Sequence, residues 1–550
     1  MSEEIDLEEL APWFVVLITL VGGGLRVLLL ASKGMWLDET FSVWVANHSV
    51  GEMLQWIVKI DQHPPLYYLL LRGWMTLNGD TPYDVRLLSA LFGAGTIPII
   101  YLIGKRMSGA LVGLAAAVLL AVSPFNIYYA QETRMYTLLA FNAAVAMYAL
   151  VRLLTDARAV RPIGSQLWAY WRAWRTPGSV ESYHPTGWRA WISRHRWLPS
   201  QTVETDLAWI ALIVFSAATL LTHNTAVLFL FAVNLFVLGL LLFQKLKPSG
   251  PLPAVQAPSL GNWAKAQISI FILWSPWSVA FIKQASRVYQ EFWIPKPDWD
   301  AVIQVLESFL NPALSYLQGS QVKMMWLMYA LVLCFGLLYY RKKVSHFLLL
   351  ATLFAVPFVG ELLVSLRRPI FLDRTLIWIT IPLLLVMAAG IAQLKFRFLI
   401  IVALGILSTS SLFSASDYYR FWQKEDWNTP AGYVANFAEK GDLVLFNSNF
   451  VVIPFDYYFA PYEKQYAIQV EKYGVPADLF ASGILEPRMT KSDVPTLLAW
   501  VRGRRRVWLV YSHNSYTDPE GLIPKTLASQ MKLIRQRDFY GGQVQLYGAP

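Results

Sequence analysis

Long runs of apolar residues recur along the chain, and they are solid rather than alternating. Many reach ~20 residues, enough to cross a hydrocarbon core of ~30 Å at 1.5 Å per helical residue. In such a core only helices or closed barrels satisfy the backbone, and solid runs lack the two-residue alternation of a barrel strand. The pattern therefore predicts a polytopic α-helical membrane protein. About eleven spans are expected, near 12–31, 84–105, 109–128, 135–154, 207–223, 225–243, 264–282, 324–340, 345–366, 375–394 and 398–414.

Between the runs lie segments of different character. The loop 32–83 mixes Phe41, Val45, Met53, Ile57 and Leu66–Leu71 with Glu52, Lys59, Asp61 and Arg72, a pattern that suits helices lying in the membrane interface. The segment 155–206 is rich in Trp and Arg, as expected of a surface that meets headgroups and anionic lipid. Within 283–323, Asp300–Phe309 has the spacing of a short amphipathic helix. After about residue 415, short β-rich runs (Asp442–Phe446, Arg506–Tyr511) alternate with helical periodicity (Pro430–Glu439, Val494–Arg502, Ile523–Ile534). That alternation predicts a small α/β domain. The expected organisation is a membrane domain over 1–414 and an α/β domain over 415–550.

Composition agrees with this picture. Hydrophobic residues make up 56% of the 550 and charged residues 15%, against about 25% charged in an ordinary soluble domain. The net charge of +10 would suggest nucleic acid in a soluble protein, but here the basic residues sit between spans and set orientation. With the N-terminus in the cytoplasm, the inward connections carry Lys105 and Arg106, then seven arginines of 155–206, then Lys245 and Lys247, then Arg341–Lys343, then Lys395 and Arg397. The loop 32–83 and the C-terminal domain then lie outside. The acidic N-terminus (Glu3, Glu4, Asp6) is not expected to be a cleaved signal. Cys334 is the single cysteine, so no intramolecular disulfide is possible.

Candidate chemistry collects on that outer side. Asp38 and Glu39 follow the first span, suited to general-base work or to holding a cation; a helix N-terminus favours acids as well. His63 precedes Pro64-Pro65, a rigid pair that sets its direction, and Tyr67 follows. Glu132, Arg134 and Tyr136 end the third span, where a guanidinium fork matches phosphate oxygens or snorkels to the headgroups. His223 sits in a tight turn, and Arg367, Arg368, Asp373 and Arg374 cluster before the tenth span. Cations on the outer face suggest an anionic ligand; an Asp373–Arg374 structural pair is the alternative. Arg502, Arg504, Arg505 and Arg506 form either a solvated basic face or a docking site for an acidic partner.

The residues Asp38-Glu39, His63-Pro64-Pro65-Leu66-Tyr67-Tyr68, Asp84-Val85-Arg86-Leu87-Leu88-Ser89-Ala90, Gln131-Glu132-x-Arg134-Met135-Tyr136 and Thr222-His223, in this order, resemble bacterial glycosyltransferases related to protein O-mannosyltransferases and aminoarabinose transferases, of the GT-C fold. The likeness is dense over about 20–240, looser through Ser275-Pro276-Trp277 and Asp373-Arg374, and returns at Lys424-Glu425-Asp426-Trp427. It implies transfer of a sugar from a polyprenyl-phosphate carrier to an acceptor at the outer face of the plasma membrane, with inversion and no cofactor. Protein, lipid and polysaccharide acceptors are all open. By position, Asp38 is expected to be the general base and Glu39 its orienting neighbour. His63, Arg134 and Arg374 are expected on the donor phosphate, with Glu132, Tyr136, Tyr67 and His223 lining the pocket.

This sequence departs from the family pattern in three places. His63 stands where aminoarabinose transferases carry Lys, Arg374 lacks a following Tyr, and Gln62 replaces an acid beside the position where some relatives hold a metal near the later His. No metal is therefore expected at Gln62, His63 and His223. A carrier-lipid transporter or an inactive scaffold is the alternative, but a transporter would bring charges to the midplane and show repeated halves.

Overall fold

The computed structural model describes residues 7–61, 63–156, 159, 163–164, 204–246, 255–287, 296–310, 320–484 and 487–549. Gln62 and most of the Trp/Arg-rich segment 155–206 lie outside the described residues. In chain order the first helices are α1 (Leu7–Val27), α2 (Leu37–Ala46), α3 (Val50–Ile60), α4 (Leu66–Asn78), α5 (Pro82–Ser108), α6 (Ala110–Val122), α7 (Pro124–Ala130) and α8 (Tyr136–Leu154). They continue as α9 (Glu204–Leu220), α10 (Val227–Leu246), α11 (Leu260–Arg287), α12 (Trp299–Leu310), α13 (Ser320–Tyr340), α14 (Val344–Ser365), α15 (Thr380–Ala392) and α16 (Arg397–Phe421). The C-terminal part adds α17 (Asn428–Phe437), β1 (Leu443–Phe446), α18 (Val452–Tyr466), β2 (Glu471–Gly474), α19 (Val494–Val501), β3 (Arg506–Ser512), α20 (Leu522–Gln530), β4 (Lys532–Phe539) and β5 (Gly542–Gly548).

Packing divides the chain into two units at places other than residue 414. One comprises Met1–Leu28, Ser89–Gln131 and Met135–Arg420; the other comprises Leu29–Leu88, Glu132–Arg134 and Phe421–Pro550.

The first unit is the membrane bundle. Among the described residues, nine helices are long and apolar enough to span, and the pair α6–α7, bent by 57°, makes a tenth as one broken span. The expected span 207–223 is α9, with 17 residues. The expected span 375–394 is a 3-10 turn, Arg374–Ile379, running into α15. Helices α13 and α15 meet backbone to backbone at two glycines. A Cβ on Gly336 would stand 2.0 Å from Val386 O, and one on Gly390 2.0 Å from Val332 O. Small residues of this kind are how helices approach closely in lipid, where apolar burial gives no driving force.

The break between α6 and α7 has a local cause. Pro124 pushes Ser123 into an extended conformation (ψ 116°), which ends α6 and strips its last carbonyls of partners. Arg26 of α1, fully buried, serves them: its Nη1 donates to Ala121 O at 3.0 Å and its Nη2 to Leu120 O at 3.0 Å. Gln131 Nε2 in turn donates to Arg26 O and Leu28 O.

The second unit is layered around a five-stranded sheet of order β2-β1-β3-β5-β4. Strands β2, β1 and β3 are parallel, while β3–β5 and β5–β4 are antiparallel. Alternation sends Val444, Phe446, Trp508 and Val510 to one face and Leu443, Leu445, Val507 and Leu509 to the other. The first face packs with Trp427, Val434, Phe455 and Phe459 of α17 and α18 and the turn before α17. The second face packs with Leu497, Val501, Ile523 and Leu527 of α19 and α20. Helix α20 stops at Gln530; the stretch expected to continue it to Ile534 begins strand β4 instead.

The loop 32–83 belongs to this same core. Ile60 is one of its buried residues, and Leu37, Phe41, Trp44 and Trp56 pack against it. Val45, Met53 and Ile57 are also buried. The apolar faces of α2 and α3 are thus satisfied by protein, while α4 keeps Leu69, Leu70 and Leu77 exposed. The basic run near β3 is largely ion-paired: Arg504 with Glu471, and Arg505 and Arg506 with Glu439.

Candidate active site

Helix α2 starts at Leu37, so Asp38 and Glu39 stand in its first turn, where the helix dipole favours acids. Consecutive helical residues point about 100° apart, and the two carboxylates meet different fates. Asp38 has its side chain 24% exposed. Glu39 has none of its surface exposed.

Glu39 is held on every side. Arg86 takes both its oxygens, through Nε to Oε1 and Nη2 to Oε2, each at 2.7 Å. Lys424 Nζ donates to Oε2 at 3.0 Å, and the backbone N–H of Thr133 donates to Oε1 at 2.9 Å. Burial alone would raise this carboxyl; Arg86 and Lys424 outweigh it and hold it below the usual carboxylate range. Arg86 also donates to the carbonyls of Leu30, Lys33 and Gly34, which fixes the turn leading into α2. Lys424 meets Glu132 Oε1 at 3.3 Å as well. The Glu39, Arg86, Lys424 and Glu132 cluster is therefore a buried, compensated scaffold directly behind Asp38.

Arg134 links this scaffold to the diproline loop. Its Nε lies 4.0 Å from Asp38 Oδ2, and its Nη1 donates to Asp38 O at 3.3 Å and to Tyr68 Oη at 3.3 Å. Its Nη2 lies 3.4 Å from His63 Nδ1. His63 Nδ1 pairs with Asp61 Oδ1 at 2.8 Å, and Tyr68 Oη donates to Asp61 Oδ2 at 2.6 Å. Burial would raise Asp61, but His63, Arg134 and Tyr68 bring it down to about 2. Burial pushes the Tyr68 hydroxyl well up, so it acts as a donor. Tyr67 is fully buried beside Tyr68.

Tyr136, His223 and Arg374 form a second group, within the membrane bundle. The Arg374 guanidinium lies 5.8 Å from the centre of the Tyr136 ring, and that ring lies 6.3 Å from His223. Tyr129 Oη donates to Asp373 Oδ1 at 3.1 Å, the same oxygen that accepts the Arg374 N–H. His223 caps its own turn: Nδ1 accepts from the Thr225 N–H at 3.2 Å. Arg368 donates to Ala285 O at 2.5 Å.

Asp61, Tyr68, Arg86 and Lys424 were not singled out from the sequence as site residues, although Tyr68, Arg86 and Lys424 lie inside motifs that carry the family resemblance and Asp61 stands two residues before one. Their signal was charge or a phenol embedded in otherwise apolar surroundings.

The dolichyl-phosphate-mannose-protein mannosyltransferase family model matches residues 62–169, a stretch that contains His63-Pro64-Pro65 and Gln131–Tyr136. No curated protein matches the sequence. Among solved structures, ArnT from Cupriavidus metallidurans in the apo state is similar over 98% of both chains, with TM-score 0.59 at 11% identity. ArnT bound to undecaprenyl phosphate is similar over 97% of both, with TM-score 0.56 at 10% identity. The archaeal oligosaccharyltransferase AglB from Archaeoglobus fulgidus, in complex with an inhibitory peptide and a dolichol-phosphate, is similar over 99% of this chain and 75% of its own, with TM-score 0.51 at 9% identity. The chain is thus similar to the protein mannosyltransferases over the motif-bearing stretch 62–169 and shares the GT-C fold of ArnT along its whole length.

Proposed function

We propose that this protein is a glycosyltransferase that moves a sugar from a polyprenyl-phosphate carrier to an acceptor nucleophile, with inversion, and that Asp38 is the general base. The observation that carries this reading is the contrast between the two adjacent carboxylates. Glu39 is buried and fully engaged, whereas Asp38 is partly exposed on a rigid helix start with Arg134 at 4.0 Å.

In the reaction the acceptor attacks the anomeric carbon, its proton passes to Asp38, and the bond from that carbon to the phosphate oxygen breaks. Negative charge grows on the departing polyprenyl phosphate. Fixed cations in a site of low dielectric stabilise that charge without reorganising. Arg134 and His63 are the groups proposed for the phosphate. The Nδ1 edge of His63 is committed to Asp61, so the phosphate contact is assigned to Nε2. Tyr136, His223 and Arg374, grouped in the membrane bundle, are assigned to the donor as well. Glu132 acts through Lys424, and Tyr67 through its packing on Tyr68. The carriers in similar structures, undecaprenyl phosphate in ArnT and dolichol-phosphate in AglB, support a polyprenyl-phosphate donor. Basic residues in every second connection, all on one side, support a plasma-membrane enzyme with the N-terminus in the cytoplasm and the C-terminal domain outside.

The test is transfer from synthetic polyprenyl-phosphate sugars by the purified full chain, with a membrane extract as acceptor source and with or without chelator. Wild type should turn over, and Asp38→Asn should lose at least ~10²-fold, typical of lost acid–base catalysis. Near-normal turnover in Asp38→Asn removes the base assignment; binding of the carrier by both proteins with no transfer by either removes the donor assignment.

A further inference from the structure

Glu361 lies in α14, an apolar span, and is 1% exposed. A carboxyl group in such a place is costly and calls for a purpose. Its neighbours lead to the group formed by Tyr136, His223 and Arg374. Thr375 Oγ1, one residue after Arg374, stands 2.7 Å from Glu361 Oε2. The Thr225 side chain also lies against the carboxyl. Thr225 Oγ1 meets His223 Nδ1 at 2.9 Å and Thr375 O at 3.4 Å. A single side chain thus touches both the turn that carries His223 and the turn that carries Arg374.

Proton counting adds a condition. Thr375 Oγ1 also stands 2.7 Å from Leu372 O. A carbonyl only accepts, and a threonine hydroxyl has one proton to give. Both contacts are satisfied when Thr375 donates to Leu372 O and accepts from Glu361.

We propose that Glu361 is a positioning residue, a neutral carboxylic acid inside the membrane span that braces the His223–Thr225 and Arg374–Thr375 turns in one arrangement. Its effect on catalysis rests on the donor role assigned above to Arg374 and His223. As a brace it acts by hydrogen bonding and shape, not by charge.

The experiment compares wild type, Glu361→Gln, Glu361→Leu and Thr375→Val in the purified full chain. Two quantities are read: hydrogen exchange of the backbone over 222–226 and 372–377, and the KM for a polyprenyl-phosphate sugar against kcat. Glu361→Leu should speed exchange in both turns and raise donor KM by up to ~10-fold, the scale of one lost hydrogen bond, with a smaller change in kcat. Glu361→Gln, which keeps shape and can donate from its amide, should stay within ~3-fold of wild type, since that is under 1 kcal/mol. Thr375→Val breaks the same contact from the other turn and serves should the leucine variant not fold. Unchanged exchange in Glu361→Leu and Thr375→Val, faster exchange with no rise in donor KM, or a glutamine variant as defective as leucine overturns the proposal. If wild type transfers from no carrier while the exchange pattern appears as expected, the brace stands and the donor reading fails.

Discussion

Arg86 holds both oxygens of Glu39 at 2.7 Å, and neither side chain has more than 1% of its surface exposed. A buried pair of this kind adds little over an apolar pair of the same shape, but losing one partner strands a charge in the interior. Arg86→Met should therefore destabilise by ~3–5 kcal/mol and release the 30–34 turn that Arg86 anchors. Glu39→Gln should be milder than Arg86→Met, because the amide still accepts from Arg86. Unfolding midpoints in detergent for the two variants check the order.

Acid sensitivity follows from two carboxylates. Glu39 and Asp61 are both held below their ordinary range by neighbouring cations. A depressed folded pKa gives stability that is complete above the unfolded value of about 4 and disappears as pH falls toward 2. The thermal midpoint should thus be insensitive to these groups from pH 8 to 5 and fall below about pH 4. Asp61→Asn should flatten part of that fall, and an unchanged acid limb in Asp61→Asn counts against the assignment.

The diproline loop predicts a split between binding and turnover. With His63 Nδ1 on Asp61 and Arg134 beside it, His63→Ala should raise donor KM by ~10-fold or more, in line with loss of a charge-assisted contact worth ~1.5–3 kcal/mol. His63→Lys, which keeps a nitrogen donor and a cation at this position, should restore donor binding. Initial rates against donor concentration distinguish the variants.

Close approach at Gly390 leaves no room for a side chain. A Cβ there would stand 2.0 Å from Val332 O, a backbone atom that moves only with its helix. Gly390→Val should destabilise the bundle by ~1–3 kcal/mol, as overpacking does, whereas Gly239→Ala, on α10 with nothing within 4 Å of an added Cβ, should be neutral or slightly stabilising. Thermal unfolding of the two variants tests the contrast.

The spans were legible because solid apolar runs have few other solutions, and the motifs were legible because charges interrupt those runs. The sheet was half legible. Strands β1 and β3 are continuous apolar runs, buried on both faces. β4, almost wholly exposed, and β2, largely exposed, carry no such pattern, so β4 was partly absorbed into the expected helix before it. The difference between Asp38 and Glu39 was not legible at all. It is created by Arg86 and by Lys424, which stands 385 residues from Glu39 in the chain. Nor could the pattern tell that the apolar residues of α2 and α3 find protein rather than lipid, since both are apolar surroundings to the side chain.

Arg26 turns the order of synthesis into part of the architecture. The first span emerges with a guanidinium near its end, while the carbonyls that will receive it belong to residues 94 and 95 positions further on. Until they arrive, water and headgroup phosphates must serve the charge, which a long side chain near a helix end can reach. The first helix is thus a provisional tenant of the bilayer, seated at the interface by the same residue that later locks it to α6. Its final depth is decided only after the third hydrophobic segment has left the ribosome.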